Sequence, residues 1–549
     1  MSLHTKDLTQ PSDLQAHGEG TGALRSRIPV YMDFLPPCNN ACPAGENIQA
    51  WLSLAQSGDY EGAWQKLVEE NPMPAIHGRV CYHPCESSCN RTQIDSPVSI
   101  HAVERFLGDK ALEENWQIKF QAEDSGKNVL IIGGGPSGLS AAYHLRRAGH
   151  DVTIFEAGPM LGGMMHFGIP SYRLPRPVLD AEVNRIVNMG VHIRLNYKVA
   201  DLMKEKQDGF FDAVFIAIGA HLSKKIDIPS RDAGQILDAV SFLRDTEDGN
   251  PPRLGRQVAI YGGGNTAMDA ARVAKRLGYE PLIIYRRDRD HAPAHEFEVD
   301  EALAEGVKIN WLRSIKEMDG TSVKVEIMRV NEAGKPEGTG VYETLEADSL
   351  ILALGQETDT AFLSQVPGIS FDDDGRVQVG PDMMTGEHGV FAGGDMVPSE
   401  RTVTIAVGHG KKAARYMDNF LRGRRNEEKV KHPVAGFERL HVWYETLAPQ
   451  QHQAQAEEVE RVQDFREVLS GLTEKEARYE AQRCLSCGNC FECDGCYGAC
   501  PEDAIIKLGK GNRYEYDYTK CTGCAVCYEQ CPCHAIEMVP DRVEGAFFG

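Results

Sequence analysis

Short apolar runs closed by glycine, each followed by an amphipathic helical period, recur through the middle of the chain. Residues 128–156 read NVLIIGGGPSGLSAAYHLRRAGHDVTIFE, which predicts a strand over Val129 to Ile132, a glycine turn, a helix and a second strand ending at Glu156. Residues 257–287, QVAIYGGGNTAMDAARVAKRLGYEPLIIYRR, repeat the design, and a further short strand ends at Leu352-Ala353-Leu354-Gly355. Nearer the N-terminus, IQAWLSLAQSGDYEGAWQKLVEEN (48–71) has the apolar spacing of helix, turn, helix. GLTEKEARYEAQR (471–483) predicts another helix, with Thr473 and Glu476 three residues apart as a capping box. No apolar run approaches the ~18 residues that a membrane span needs. The first residues, MSLHTKDLTQPSDLQAHGEGTGAL, are polar, lack the apolar stretch of a secretory signal, and predict a flexible lead-in over 1–30.

The two strand–glycine–helix units carry chemistry. In the first, Gly133, Gly135 and Gly138 allow a tight turn and the close approach of a pyrophosphate to a helix N-terminus, where free N–H groups and the dipole favour anions. Glu156 stands where a carboxylate accepts hydrogen bonds from a ribose. In the second, the loop is Gly262, Gly264 and Ala267, and the following strand ends in Arg286 and Arg287 rather than an acid. Guanidinium groups there favour NADP over NAD, because they pair with a 2′-phosphate. The competing reading of that RRDRD stretch is a solvated basic turn.

Composition narrows the class. A length of 549 residues suits three or four domains, and 42% hydrophobic residues suit globular cores. A net charge of −22 disfavours nucleic acid and anionic membranes as partners. The 16 cysteines are unevenly spread: five lie between 38 and 89, eleven between 484 and 533, and none between. C-x2-C spacing in so large a chain points to metal ligands in a reducing, cytoplasmic setting rather than to disulfides. Cys490, Cys493, Cys496, Cys500 and Pro501 recur 31 residues later as Cys521, Cys524, Cys527, Cys531 and Pro532. Zinc also uses C-x2-C pairs, but two runs of three cysteines followed by Cys-Pro resemble a bacterial two-cluster ferredoxin. In that fold the fourth cysteine of each run crosses to the other cluster. The resemblance therefore implies one [4Fe-4S] cluster on Cys490, Cys493, Cys496 and Cys531, and a second on Cys521, Cys524, Cys527 and Cys500. Cys533 is left over as a small buried residue.

Gly389-Val-Phe-Ala-Gly-Gly394-Asp395, together with the two glycine loops, resembles the flavoproteins with two dinucleotide-binding domains, and LGGMMHFGIPSYRLP (161–175) resembles the flavin-flanking segment of the glutamate synthase small-subunit branch. That resemblance implies FAD held by Gly133, Gly135, Gly138, Glu156, Gly163, Gly394 and Asp395, and a nicotinamide nucleotide held by Gly262, Gly264, Ala267, Arg286 and Arg287. Disulfide reductases of this superfamily carry a cysteine pair beside the flavin. This chain has none there, so electrons that arrive as hydride need another exit.

Residues 38–104 resemble the cluster-binding N-terminal domain of the same small subunit and of dihydropyrimidine dehydrogenase. The resemblance implies one [4Fe-4S] cluster on Cys42, Cys81, Cys85 and Glu104, and another on Cys38, Cys89 and a C-x2-C pair that the family places just before Cys38. No cysteine precedes Cys38. The family's missing stretch looks like Glu480-Ala-Gln-Arg-Cys484-Leu-Ser-Cys487, which implies that Cys484 and Cys487 complete that cluster from the far end of the chain. Two alternatives stay open: the pair is idle or redox-active, or it serves a second copy of the chain. Glu104 on a helix also reads as a solvated residue.

The expected architecture is an α/β multidomain chain with a helical Fe–S domain at 31–122. A discontinuous FAD domain occupies 127–250 and 355–425, with a nicotinamide domain inserted at 254–352. A linker, helix and C-x2-C segment follow at 426–489, then an α+β ferredoxin-like domain at 490–549. The resemblance implies an oxidoreductase subunit, oligomeric and cytoplasmic, that moves electrons between NADP(H), FAD, four [4Fe-4S] clusters and a redox protein partner or larger complex. By analogy that partner is a 2-oxoacid:ferredoxin oxidoreductase, a sulfite reductase system or ferredoxin. Hydride transfer at FAD requires no catalytic side chain. Other readings are a glutamate synthase subunit feeding an amidotransferase, an electron-bifurcating flavoenzyme, and a non-catalytic electron-transfer scaffold.

Overall fold

The computed structural model describes residues 25–224, 228–231, 235–426 and 431–541. Two parallel five-stranded sheets form its centre. The first has the order Val390–Ala392, Ala213–Ile216, Asn128–Ile132, Asp151–Phe155, His192–Arg194. Asn128–Ile132 is almost wholly buried, as a central parallel strand covered on both faces requires. Val390–Ala392 joins this sheet from beyond the second one, pairing in parallel with Ala213–Ile216. The chain thus leaves the first domain and returns to it. The long helix Val403–Leu421 then packs on Pro136–Arg147, with Ser140 Oγ donating to the Val407 carbonyl at 2.8 Å.

The second sheet runs Lys308–Trp311, Glu280–Tyr285, Gln257–Tyr261, Ser349–Leu352, Ile236–Asp238. The last strand corrects the expected limit of the first domain at residue 250. Ile236–Asp238 pairs in parallel with Ser349–Leu352, and Ala239, Phe242 and Leu243 of the next helix pack into the second core. An antiparallel sheet built on Arg313–Asp319, Ser322–Val330 and Pro336–Glu346 flanks this domain. The two connections between the domains meet as a ribbon, Leu222–Ser223 against Gln356–Glu357.

At the N-terminal end, helices Ile48–Ser57 and Tyr60–Val68 form the expected hairpin. Gly58 closes the first helix at φ 84°, and Asp59 caps the second through Gly62 N–H. Ile100–Glu113 packs beside them, and so does Glu474–Gln482, whose Thr473–Glu476 capping box forms as predicted. The lead-in expected over 1–30 lies outside the described residues up to residue 24. From Arg27 it is not flexible: Arg27–Tyr31 is a strand, antiparallel to Ile536–Pro540 near the other end of the chain. The small C-terminal unit has its own hairpin, Ile505–Lys507 with Tyr514–Tyr516. Among the described residues no helix is long and apolar enough to cross a membrane.

Candidate functional site: a flavin cavity walled by a cysteine loop

A cavity of about 520 Å³ opens where the first sheet ends at the loop of Gly133 and Gly135. The glycines divide their work. A Cβ on Gly133 would sit 2.3 Å from the Ala217 carbonyl oxygen, and one on Gly138 would sit 2.0 Å from that of Gly133. These two let strand, loop and helix close up. Gly135 instead faces open space, its nearest neighbour Gly163 Cα at 3.9 Å, so backbone N–H groups stay reachable. Glu156 is held by two N–H groups, Gly134 and Gly158, each at 2.7 Å. Gly394 and Asp395 line the opposite wall, and burial lifts the Asp395 carboxyl to about 6. The hydroxyl of Ser137, first turn of the helix, is buried without a partner beside Gly394. A narrow glycine cradle, a helix N-terminus and an orphaned hydroxyl fit a dinucleotide such as FAD.

The second loop follows the same plan. A Cβ on Gly262 would meet the Ala353 carbonyl oxygen at 2.2 Å, while Gly264 is open. Ala267 is fully buried in helix Asn265–Arg276. Arg286 is exposed, Arg287 is half-buried with an unpartnered buried Nε, and neither makes an ion pair among the described residues. Two unspent guanidiniums beyond the strand fit a phosphate-bearing nucleotide.

The cysteines gather in four places within one chain. Cys38, Cys89, Cys484 and Cys487 line a single small cavity. Their union depends on Arg483, which is buried and donates to Asp95, Glu480 and three backbone carbonyls. Arg91 reinforces it by donating to Asp95 and to the Arg483 carbonyl. Cys42, Cys81, Cys85 and Glu104 form the second group. Burial pushes the Cys81 thiol up to about 12, and the nearby Glu104 charge adds to that. A dry set of thiols of this kind favours a bound cation to carry its thiolate charge. Glu104 is not a solvated residue. It is 5% exposed, and Asn71 Nδ2 donates to it at 2.8 Å. Glu46 and His77 complete that buried cluster, and the sequence offered no sign of them because four separate segments supply its members.

In the C-terminal unit, Cys500, Cys521, Cys524 and Cys527 line one cavity. Burial pushes Cys490 up to about 11, with Cys496 and Cys531 adding to the shift, and Cys531 also acts on Cys493. Cys533 is buried, its Sγ 3.8 Å from that of Cys531. Tyr31 of the N-terminal strand stacks on Tyr516 and places its hydroxyl 3.5 Å from Cys496 Sγ.

Residues 127–410 match the family model described as pyridine nucleotide-disulphide oxidoreductase. The chain belongs to that family. Two further models match: dihydropyrimidine dehydrogenase domain II, 4Fe-4S cluster, over 34–116, and 4Fe-4S binding domain over 514–537. The chain is 36% identical to the NADP(+)-dependent formate dehydrogenase subunit beta of Moorella thermoacetica, over 86% of this chain and 74% of that one. It is 32% identical to the NADPH-Fe(3+) oxidoreductase subunit beta of Geobacter sulfurreducens, over 83% and 75%. It is 31% identical to the glutamate synthase [NADPH] small chain of Mycobacterium tuberculosis, over 73% and 89%. These relatives are oxidoreductase subunits, and this pyridine nucleotide-disulphide oxidoreductase is an enzyme of that kind with 4Fe-4S domains at both ends. No cysteine lies between 90 and 483, so the two nucleotide domains themselves hold no disulfide.

One cysteine loop reaches this cavity from outside the two nucleotide domains. Val80 and Tyr82, either side of Cys81, form part of the wall of the flavin cavity. Helix Val403–Leu421 seals the junction: a Cβ on Gly408 would sit 2.1 Å from the Pro43 carbonyl oxygen, and Lys411 Nζ donates to the Ala44 and Gly45 carbonyls.

Proposed function

We propose that this chain is the NADP(H)-oxidising or NADP-reducing subunit of a cytoplasmic redox complex, with FAD and four [4Fe-4S] clusters. In this reading FAD, when bound, exchanges a hydride for two single electrons, and the clusters carry those electrons singly. Gly133, Gly135, Gly138, Gly163, Glu156, Gly394 and Asp395 hold the FAD. Gly262, Gly264 and Ala267 hold the nucleotide pyrophosphate, and Arg286 and Arg287 select the 2′-phosphate. Cys42, Cys81, Cys85 and Glu104 hold the cluster nearest the flavin. Cys38, Cys89, Cys484 and Cys487 hold the next, and the eight ferredoxin-type cysteines hold the outer two. The partner is a redox protein that meets the C-terminal unit.

The observation that carries the reading is the Cys81–Cys85 loop in the wall of the flavin cavity. It sets a group of cysteines against the cavity, where an acceptor of single electrons from FAD would stand. The pairing of Ile236–Asp238 with Ser349–Leu352 supports an FAD domain broken by a nicotinamide domain that starts near residue 235 rather than 254.

The test is iron and acid-labile sulfide per FAD on anaerobically purified protein, with anaerobic bleaching of the flavin by NADPH. About 16 iron atoms per FAD are expected, four per cluster, falling to about 12 in Cys484→Ser/Cys487→Ser. About 12 in the unaltered protein, without gain on reconstitution, means that one N-terminal cluster is absent. A flavin that NADPH leaves oxidised overturns the enzymatic reading.

A further inference from the structure

The loop that carries Cys81 and Cys85 touches more than the flavin cavity. Tyr82, between them, has its hydroxyl 2.6 Å from Asn265 Nδ2, which donates to it. Asn265 is the first residue of helix Asn265–Arg276, directly after Gly264, so it belongs to the turn whose N–H groups face a bound pyrophosphate. Its side chain is engaged at both ends, because Asn265 Oδ1 accepts the His295 N–H at 3.0 Å. The Tyr82 ring in turn stacks on the His295 imidazole, centroids 3.7 Å apart and planes 22° apart. Tyr82, Asn265 and His295 therefore close a three-membered ring of contacts between the cysteine loop and the nucleotide loop.

Two further features make this contact stiff. One turn along the same helix, both Asp269 carboxylate oxygens accept from Arg173 at 2.9 Å, and Arg173 also pairs with the buried Glu298. Arg173 also lies beside the Tyr82 hydroxyl, so one guanidinium faces both the cysteine loop and this helix. On the other side, His83 follows Tyr82 at φ 41°, a left-handed conformation that a non-glycine residue adopts only when its surroundings hold it there. Tyr82 is also bonded directly to Cys81, so its ring and that thiol share one stretch of backbone.

We propose that Tyr82 is a positioning residue that couples nucleotide binding at the Gly262–Ala267 loop to reduction of the centre held by Cys42, Cys81, Cys85 and Glu104. The inference rests on the functional reading above, in which those residues hold a cluster and that loop holds the nucleotide. A ligand shifts an equilibrium only through contacts that differ between its two states, and Asn265 supplies such a contact. The coupling is reciprocal: the factor by which nucleotide alters the reduction equilibrium is the factor by which reduction alters nucleotide affinity.

The experiment is a redox titration of the holoenzyme followed by low-temperature electron paramagnetic resonance, on the signal that Cys85→Ser removes. The probe is 2′-phospho-ADP-ribose, which fills the nucleotide loop and accepts no hydride. A coupling of at least about fivefold is expected in the unaltered protein, a midpoint displacement of about 40 mV at 59 mV per tenfold for one electron. Tyr82→Phe keeps the ring on His295 and loses the hydroxyl, and Asn265→Ala removes its partner. Each reduces the displacement to less than half. A displacement below that expected in the unaltered protein, or one retained in both variants, overturns this inference alone, provided that iron content is full and NADPH bleaches the flavin. Missing iron or a flavin that does not bleach overturns the functional reading, and this inference with it.

Discussion

Replacing Arg483 by alanine is the sharpest test of how the far end of the chain reaches the N-terminal domain. Arg483 donates to Glu480 Oε2 at 2.8 Å, Asp95 Oδ1 at 3.1 Å, and the carbonyls of Ala448, Pro97 and Ser96 at 3.0, 2.8 and 2.7 Å. Glu480 is fully buried, and truncation leaves its charge without a counter-ion, whereas Asp95 keeps Arg91 at 2.9 Å. Breaking a buried ion pair from one side costs ~3–5 kcal/mol. The lower end applies here, because Glu480 keeps two N–H donors, Ser99 and Gln451. A loss of ~3 kcal/mol is a factor of about 150 at 1.36 kcal/mol per tenfold. Hydrogen exchange over residues 474–489 should therefore quicken by about 100-fold or more, and iron per FAD should fall. Arg483→Lys should recover less than half of the protection, since one ammonium cannot serve a planar five-acceptor site. Exchange within about fivefold of the unaltered protein (~1 kcal/mol at the same conversion), with full iron, would refute the staple.

Glu182 makes a pH prediction. Its carboxyl is fully buried and burial raises it to about 8, with Arg185 at 3.0 Å only partly offsetting this. A folded-state value above the unfolded one gives stability that is present below about pH 4.5 and lost as pH rises through about 8. Glu182→Gln should flatten the decline of Tm between pH 5 and 8.5, by on the order of 4 kcal/mol at the top of that range, and parallel profiles would contradict this. Removing both guanidiniums, Arg286→Ala/Arg287→Ala, should raise KM for NADPH by at least roughly 10–100-fold, the loss of one charged hydrogen bond at ~1.5–3 kcal/mol, while NADH kinetics change less than about threefold. Equal losses with both coenzymes would assign the arginines to general stability.

What the sequence made legible was local. C-x2-C spacing, strand–glycine–helix units and the Thr473–Glu476 box are each written within a few residues, so their geometry follows from one turn of chain. The crossed cysteine sets were legible only through a repeat and a resemblance. Ile236–Asp238 fell within the expected first domain because two apolar residues before an acid carry no signal of which neighbour they pair with. Residues up to 30 were read as lead-in from the polar stretch before them, and the strand Arg27–Tyr31 was not legible because its partner lies at Ile536–Pro540. Tyr172 is the extreme case. It sits in the segment taken to flank the flavin, yet it is buried in the core of the other domain, against Arg272 and Arg276. Glu46, Asn71 and His77 escaped notice for the same reason, since burial of a polar residue is set by distant chain.

The pairing of Arg27–Tyr31 with Ile536–Pro540 also dictates a schedule. On a ribosome adding ~5–20 residues per second, about 500 residues separate the two strands, so the first waits roughly 25–100 seconds for the second. During that interval Cys38 and Cys89 are also without Cys484 and Cys487. Both nucleotide domains can fold while the chain is still growing, but the small C-terminal unit cannot be finished without the beginning of the chain. On the proposed reading, iron loading of the set that joins Cys38 and Cys89 to Cys484 and Cys487 therefore waits until residue 487 has been made. A nascent chain stalled before residue 484 would carry a half-built site open to oxidants.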